Sequence, residues 1–322
     1  MADNLKPYGN GSYNQSEEFT EEENKSRKKA NAFQFFLIPA AIVLTCFTIY
    51  ALIIYMTKEP DSPSELLKRI RASGGHERTV YTMSLVNLIR RERGNFQKES
   101  SKELVDLIPQ IQEIIKSLHE KLSEEDMNLK ISLINVLGNI QSRSATDFLL
   151  DMLQSESNEN LKSQCLQALG AIKDPDSVEV ISKFTAVDQV YEVRKHAIFN
   201  LGAVGDKSTI KILQKYLTDD SEVIKWNSAF ALGFFLEDKS GLEILRKMLN
   251  RNYVSAFSKP GKAVTPSDCE FATAQTIAMA VRALGKLKDK ESLLAIKNLS
   301  INDSNYELKV ICSQIAKELE KN

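Results

Sequence analysis

The chain has 322 residues, of which 42 are Lys or Arg and 43 Asp or Glu, for a formal net charge of −1. That balance excludes a general nucleic-acid binder, whose footprint is a clear basic excess, and the length allows one large domain or two ordinary ones. With 3 His and 4 Cys, none at metal-ligand spacing, no Cys/His zinc module is expected, and neither a metal nor a cofactor is called for. Gly (13) and Pro (8) are scarce, which points to long helical stretches joined by short turns.

Residues 1–31 are polar, rich in Asn, Ser and Glu, and carry no helical or strand period, so they read as a disordered tail. The tail's acids, Glu17 to Glu23, precede its bases Lys25, Arg27, Lys28 and Lys29. No charge then occurs until Lys58. As a helix, Ala32–Met56 would be about 37 Å long, enough to cross a hydrocarbon core of about 30 Å. A single transmembrane helix is therefore expected over 32–57, giving a single-pass protein of the inner membrane. The run is too long for a signal-peptide core, and no small-residue cleavage site follows it. The four bases just before the span face only Lys58 just after it, which puts the tail in the cytoplasm and the body in the periplasm. A wider window evens the two sides and keeps a cytoplasmic body as the alternative.

Residues 58–75 read as a linker and a short helix, capped by Ser64, carrying Leu66, Leu67 and Ile70, and ended by Gly74-Gly75. Residues 76–128 carry apolar residues at helical spacing, among them Leu85, Ile89, Leu104 and Ile111, and read as an irregular N-terminal helical pair.

From residue 129 to the last residue, 322, the chain repeats. Leu-Gly pairs stand at Leu137, Leu169, Leu201, Leu232 and Leu284, with steps of 32, 32, 31 and 52 residues. The last step is one repeat plus an insertion at about 251–270, which has no clear period and carries Tyr253, Val254 and Phe257. Eight residues before each Leu is Leu129, Leu161, Val193, Ile224 or Thr276, followed by Lys130, Lys162, Arg194, Lys225 and, breaking the rule, Ile277. Soon after the Gly, an Asp (Asp174, Asp206, Asp238, Asp289) restarts the chain as a helix cap. Each unit is a helix A, a polar turn and a helix B with the Leu-Gly, and such hairpins bury their apolar faces only by stacking. The recurring cation is expected to pair with loop acids of adjacent repeats.

The pattern of Leu/Val-Lys/Arg, small residues and Ala-Leu-Gly before an Asp, as in 193–217 (VRKHAIFNLGAVGDKSTIKILQKYL), resembles the HEAT-like repeat of the phycobilisome-lyase type. With its apolar N-terminal run, the whole layout is similar to bacterial single-pass membrane-anchored HEAT-repeat proteins. The resemblance implies an all-α protein, an α-solenoid of stacked HEAT-like hairpins preceded by one transmembrane helix. It implies a non-enzymatic scaffold, since such repeats mostly bind other proteins, with a lyase-like enzyme or accessory handling a hydrophobic cofactor or lipid as the alternative.

Within helix B, the third, seventh and eleventh positions fall outside the core pattern. In one unit they are Lys195, Phe199 and Ala203; in the next they are Trp226, Phe230 and Phe234, an aromatic stripe at i, i+4 and i+8. Exposed on the helix B face, this stripe would mark a site for a protein or peptide partner, with Lys195, Phe199, Trp226, Phe230 and Phe234 as its contacts. The insertion would either cover the stripe or gate it. His196 is expected at an exposed helix B position, Cys165 and Cys312 as buried small hydrophobes, and Cys269 as the one candidate reactive thiol. No residue is expected to be catalytic.

Overall fold

The computed structural model describes residues 38–57, 62–95, 102–118, 123–187, 189–257 and 265–321. The expected tail, the first part of the apolar run (32–37), His119 and residues 258–264 of the insertion lie outside these. The chain divides into two units, Met1–Glu59 and Pro60–Asn322.

In the first unit, α1 (Ile38–Thr57) is a helix of 20 residues with Pro39 in its first turn, where a missing N–H costs least. Ile42, Val43, Leu44, Phe47, Ile49 and Tyr50 are exposed around its circumference. Its hydroxyls bond within the helix, Thr45 Oγ1 donating to Ala41 O at 2.7 Å and Thr48 Oγ1 to Thr45 O at 2.8 Å. Among the described residues no helix is both long and apolar enough to cross a membrane. In α1 the described side chains end at Leu52, although the helical backbone continues to Thr57.

The second unit is a stack of helical hairpins. The first is α2 (Pro63–Ala72) with α3 (Gly75–Asn95). The second is α4 (Lys102–Asp106) and α5 (Ile108–Ser117) with α6 (Glu124–Ile140). The next two are α7 (Thr146–Ser155) with α8 (Glu159–Ile172), and α9 (Val178–Lys183) with α10 (Tyr191–Val204). Then come α11 (Ile210–Gln214) with α12 (Glu222–Phe230), and α13 (Leu242–Lys247) with α14 (Arg251–Phe257) and α15 (Pro266–Lys286). The last is α16 (Leu293–Asn302) with α17 (Tyr306–Lys321).

Two corrections concern the start of this stack. The cap of α2 is Ser62, not Ser64: its Oγ accepts from Glu65 N at 3.2 Å, because Pro63 fills the first helical position. And α2 is no mere linker helix, since Leu66, Leu67 and Ile70 are buried in the same apolar cluster as Leu85 and Ile89 of α3. The expected linker and leading pair thus include a complete hairpin.

The repeat signature has a physical basis at each position. Asp174, Asp206 and Asp238 start their units by accepting from the N–H of Asp176, Ser208 and Ser240 at 3.3, 2.8 and 2.9 Å. The glycine of each Leu-Gly lets successive B helices touch. A Cβ on Gly202 would stand 2.5 Å from the Cβ of Ala231, and one on Gly138 would stand 2.8 Å from the Cα of Ala168. In three units the cation early in helix B reaches the A–B turn of the following hairpin, whereas Lys225 pairs with Glu222 of its own helix at 2.8 Å. Lys130 meets Glu156 at 3.0 Å, Arg194 grips Asp219 through both terminal guanidinium nitrogens, and Lys162 lies 5.8 Å over the Phe184 ring. Burial by itself would raise the Asp219 carboxyl; the Arg194 guanidinium and the Ser221 N–H outweigh it and hold it below the usual carboxylate range.

The insertion is not aperiodic. Its first part is α14, and its last part lengthens α15, started by Thr265 and Asp268 in a reciprocal capping box. Helix α14 also repairs the broken signature. Ile277 is buried, so α15 offers no cation at that place. Arg251 supplies it, donating from Nε at 2.9 Å and a terminal nitrogen at 2.5 Å to Asp303 in the A–B turn of the last hairpin.

Two buried apolar clusters run along the stack, one from Leu66 to Leu232 and one from Trp226 to Leu319. They meet at α12.

Candidate partner-binding groove

Helix α12 passes at Ala231 into a π-helical segment, Ala231–Phe235. The reason is an extra residue. From the Leu of Leu-Gly to the restarting Asp is five residues in the units of Leu169, Leu201 and Leu284, but six from Leu232 to Asp238. A π turn absorbs one additional residue without breaking the helix. It also turns two neighbouring side chains, Phe234 and Phe235, toward Phe230. Phe230 stacks on Phe234 with ring centroids 5.0 Å apart and on Phe199 of α10 at 5.5 Å. Phe235 sets its edge against all three at 5.1 to 5.6 Å. The helical period alone misses Phe235; the six-residue count was the signal for it.

The stripe expected on the surface is therefore two separate clusters, and Trp226 does not lie on the surface. It is 2% exposed. Tyr253 and Phe257 of α14 pack edge-on against it at 5.7 and 6.1 Å, and its indole N–H donates to Tyr253 Oη at 3.2 Å. The Tyr253 hydroxyl in turn donates to Glu222. Burial first, then the Glu222 carboxylate, raises the Tyr253 phenol above its ordinary value. Phe230 is buried as well, beneath the other phenylalanines. An apolar ring of this size finds cover in a folded chain unless a partner provides it. Here α14 covers Trp226, and Phe199, Phe234 and Phe235 cover Phe230. Of the five proposed contacts, Trp226 and Phe230 are thus support beneath a surface, Phe234 is half-buried beside them, and Lys195 and Phe199 face solvent in part.

Lys195 and Phe199 line a groove of about 550 Å³ on the helix B face. Four consecutive B helices build it. Its apolar part is Phe199 and Ala203 from α10, Ala171 from α8, Phe235 from the π segment and Met279 from α15. Its polar part is Gln167, Lys173, Lys195, His196, Asn200 and Asn227. His196 is half-buried, not exposed as expected, and Gln167 Nε2 lies 3.5 Å from its Nδ1. Burial, then the neighbouring Lys195 charge, pushes the imidazole pKa down, against a weaker pull from Glu192. Lys195 pairs with Glu192 one turn back. Residue Lys173 caps α8 in the left-handed conformation at φ 60°.

The cysteines stand elsewhere. Burial pushes the thiols of Cys165 and Cys312 up to about 12, as befits packed hydrophobes. Cys269, in the first turn of α15, is half-buried and does not line the groove.

Comparison with protein families matches HEAT repeats at residues 115–194 and 185–256. Residues 115–256 carry HEAT repeats. Among solved structures, the complex of CpcE and CpcF of phycocyanin lyase from Nostoc sp. PCC7120 aligns with a TM-score of 0.53 at 14% identity, covering 82% of this chain and 96% of that one. At that identity the likeness is one of fold, and the shared fold is the HEAT-repeat solenoid. Human deoxyhypusine hydroxylase, with glycerol bound, aligns with a TM-score of only 0.28 at 16% identity, over 77% of this chain and 100% of that one, too loose for any argument. No curated protein matches the chain.

Proposed function

We infer that the protein is a membrane-tethered, non-enzymatic HEAT-repeat scaffold that holds a protein or peptide partner in the groove of its helix B face. The groove itself carries this reading: four stacked repeats converge on one preformed cleft with an aromatic floor. HEAT repeats in general mediate protein interactions, and a preformed surface binds without a large ordering cost. The groove's described lining holds amides, lysines, apolar side chains and a histidine, with no thiol, hydroxyl or carboxylate, which suits holding more than transforming.

The tether is α1. Apolar side chains exposed around a whole helix fit lipid better than water, and hydroxyls satisfied by the helix's own carbonyls are what hydrocarbon demands. The four bases before the apolar run orient it with the N-terminus in the cytoplasm and the repeats in the periplasm. A phosphatase reporter fused after Asn322 should be active, and an inactive one would reverse the orientation. For the groove, crosslinking and pull-down from membranes should recover a partner with the intact chain and lose it with Phe199→Ala/Phe235→Ala. Equal recovery with both would refute the site.

The lyase-like alternative would place a reactive group beside the groove. His196, in the groove, and Cys269, outside it, are the suspects; substituting both should abolish function on the lyase-like reading and leave partner retention in place on the scaffold one.

A further inference from the structure

The groove's polar groups specify the form of its occupant. Asn200 on α10 and Asn227 on α12 each donate from Nδ2 to the carbonyl one turn back, to His196 O at 2.8 Å and Val223 O at 2.7 Å. That fixes each amide plane and leaves each Oδ1 without a partner among the described residues. Asn227, half-buried, offers its Oδ1 as an acceptor at the groove, whereas Asn200 is 3% exposed and its Oδ1 packs against Gly170 of α8, where a Cβ would stand 2.4 Å from it. An extended chain turns every second N–H group to the same side, about 6.6 Å apart at about 3.3 Å per residue, so a bound strand can present one of them to this acceptor. Beyond its first turn a helical ligand could not use this acceptor, because its N–H groups are already bonded along its own axis, so an extended segment suits it better.

The side-chain chemistry is equally one-sided. Lys173 and Lys195 are the only charged groups of the lining, and no carboxylate stands among them. Glu192, the partner of Lys195, sits outside the lining and more than half exposed, so the ammonium can exchange it for a ligand carboxylate. Between the lysines and Met279, the Phe199 and Phe235 rings offer a face and an edge set 89° apart, a seat for a further ring.

We propose that the groove takes an extended peptide segment in which an aromatic residue sits beside an aspartate or glutamate, a refinement that rests on the partner-binding reading above. The aromatic side chain seats on Phe199 and Phe235. The carboxylate pairs with Lys173 or Lys195, and a backbone N–H group bonds Asn227 Oδ1.

Panning a phage-displayed library of random dodecapeptides against the full chain in detergent tests this. Peptides recovered from the native chain should be enriched in an acid beside an aromatic. A synthetic peptide of the enriched sequence should bind Lys173→Glu/Lys195→Glu about tenfold or more weakly. N-methylation of the amides flanking its aromatic should weaken it similarly, a result that needs no change in the protein. Circular dichroism checks that the variants fold. Enriched peptides without carboxylates, or equal affinity for the charge-reversed chain, would overturn this proposal; if they were still lost on Phe199→Ala/Phe235→Ala, the groove would stand as a binding site for another chemistry. No enrichment that depends on Phe199 and Phe235 would overturn both. An anionic amphiphile as the true occupant would show as laurate binding to the native chain with no peptide recovered, and this too would overturn it.

Discussion

Replacing Arg251 by Met removes the cation that α14 lends to the last hairpin while keeping an aliphatic stem of similar length. Asp303, whose side chain is 1% exposed, would keep the Asn305 N–H at 2.8 Å but lose both guanidinium bonds. Stripping one partner from a buried ion pair costs about 3–5 kcal/mol. Arg251 is 27% exposed, so water screens part of the pair and about 2–3 kcal/mol is the working figure. Urea unfolding at constant m-value should show the loss as a lower midpoint. Trp226 is the only tryptophan, and it lies under α14, so its fluorescence reads this region directly. Its emission should shift at lower urea in Arg251→Met than in the parent. The discriminating measurement is a double-mutant cycle with Asp303→Asn, which should give a coupling of about 1–2 kcal/mol. A coupling within about 0.5 kcal/mol of zero would mean that the pair is incidental and that α14 is not the substitute for the missing helix B cation.

Other substitutions probe the remaining joints. Gly202→Ala drives a Cβ into Ala231 of the next repeat and should cost about 1–3 kcal/mol, seen as a lower thermal midpoint. Tyr253→Phe leaves the Trp226 N–H and Glu222 short of a partner; a loss of about 1–2 kcal/mol in urea would support the network, and no change would dismiss it. The carboxyls of Asp219, Asp289, Glu222 and Glu156 are all held below their ordinary values. Their folded pKa values lie under the unfolded ones, so their contribution is complete above about pH 5 and is lost as pH falls through the folded values, below about pH 4. Urea midpoints should be level down to about pH 5 and then drop, and Arg194→Met should make that drop shallower.

Much of this architecture is written in local signals. The Leu-Gly register, the restarting aspartates and the recurring cation each answer to a contact between repeats, so one sequence shows them several times. What occurs once was harder to read. The leading hairpin lacks the Leu-Gly mark, so the sequence shows α2 as a short helix after a linker and not as half of a hairpin. Helix α14 is too short for its period to declare itself, although Tyr253, Val254 and Phe257 already lay at the spacing of one face. The fate of Trp226 was not legible, because its cover comes from a segment 27 residues further along, and nothing in a helical period says which segment will lie over it. Phe235 escaped because an α-helical period was assumed across a π turn, where a count to the next Asp would have shown the extra residue.

The groove's position has a consequence for cooperativity. It straddles the place where the two apolar clusters meet: α8 belongs to the first, Phe199 and Met279 pack against the second, and Phe235 packs against both. In a linear array of repeats, local opening can begin at a junction, and the joint at α12 is one place where the empty stack can open. An occupant touching both sides binds only when both are folded, and mass action then raises the cost of losing either one alone. Occupancy would suppress that opening, so the partner would act as a clasp on the joint and its arrival could be read as slower amide hydrogen exchange in α12.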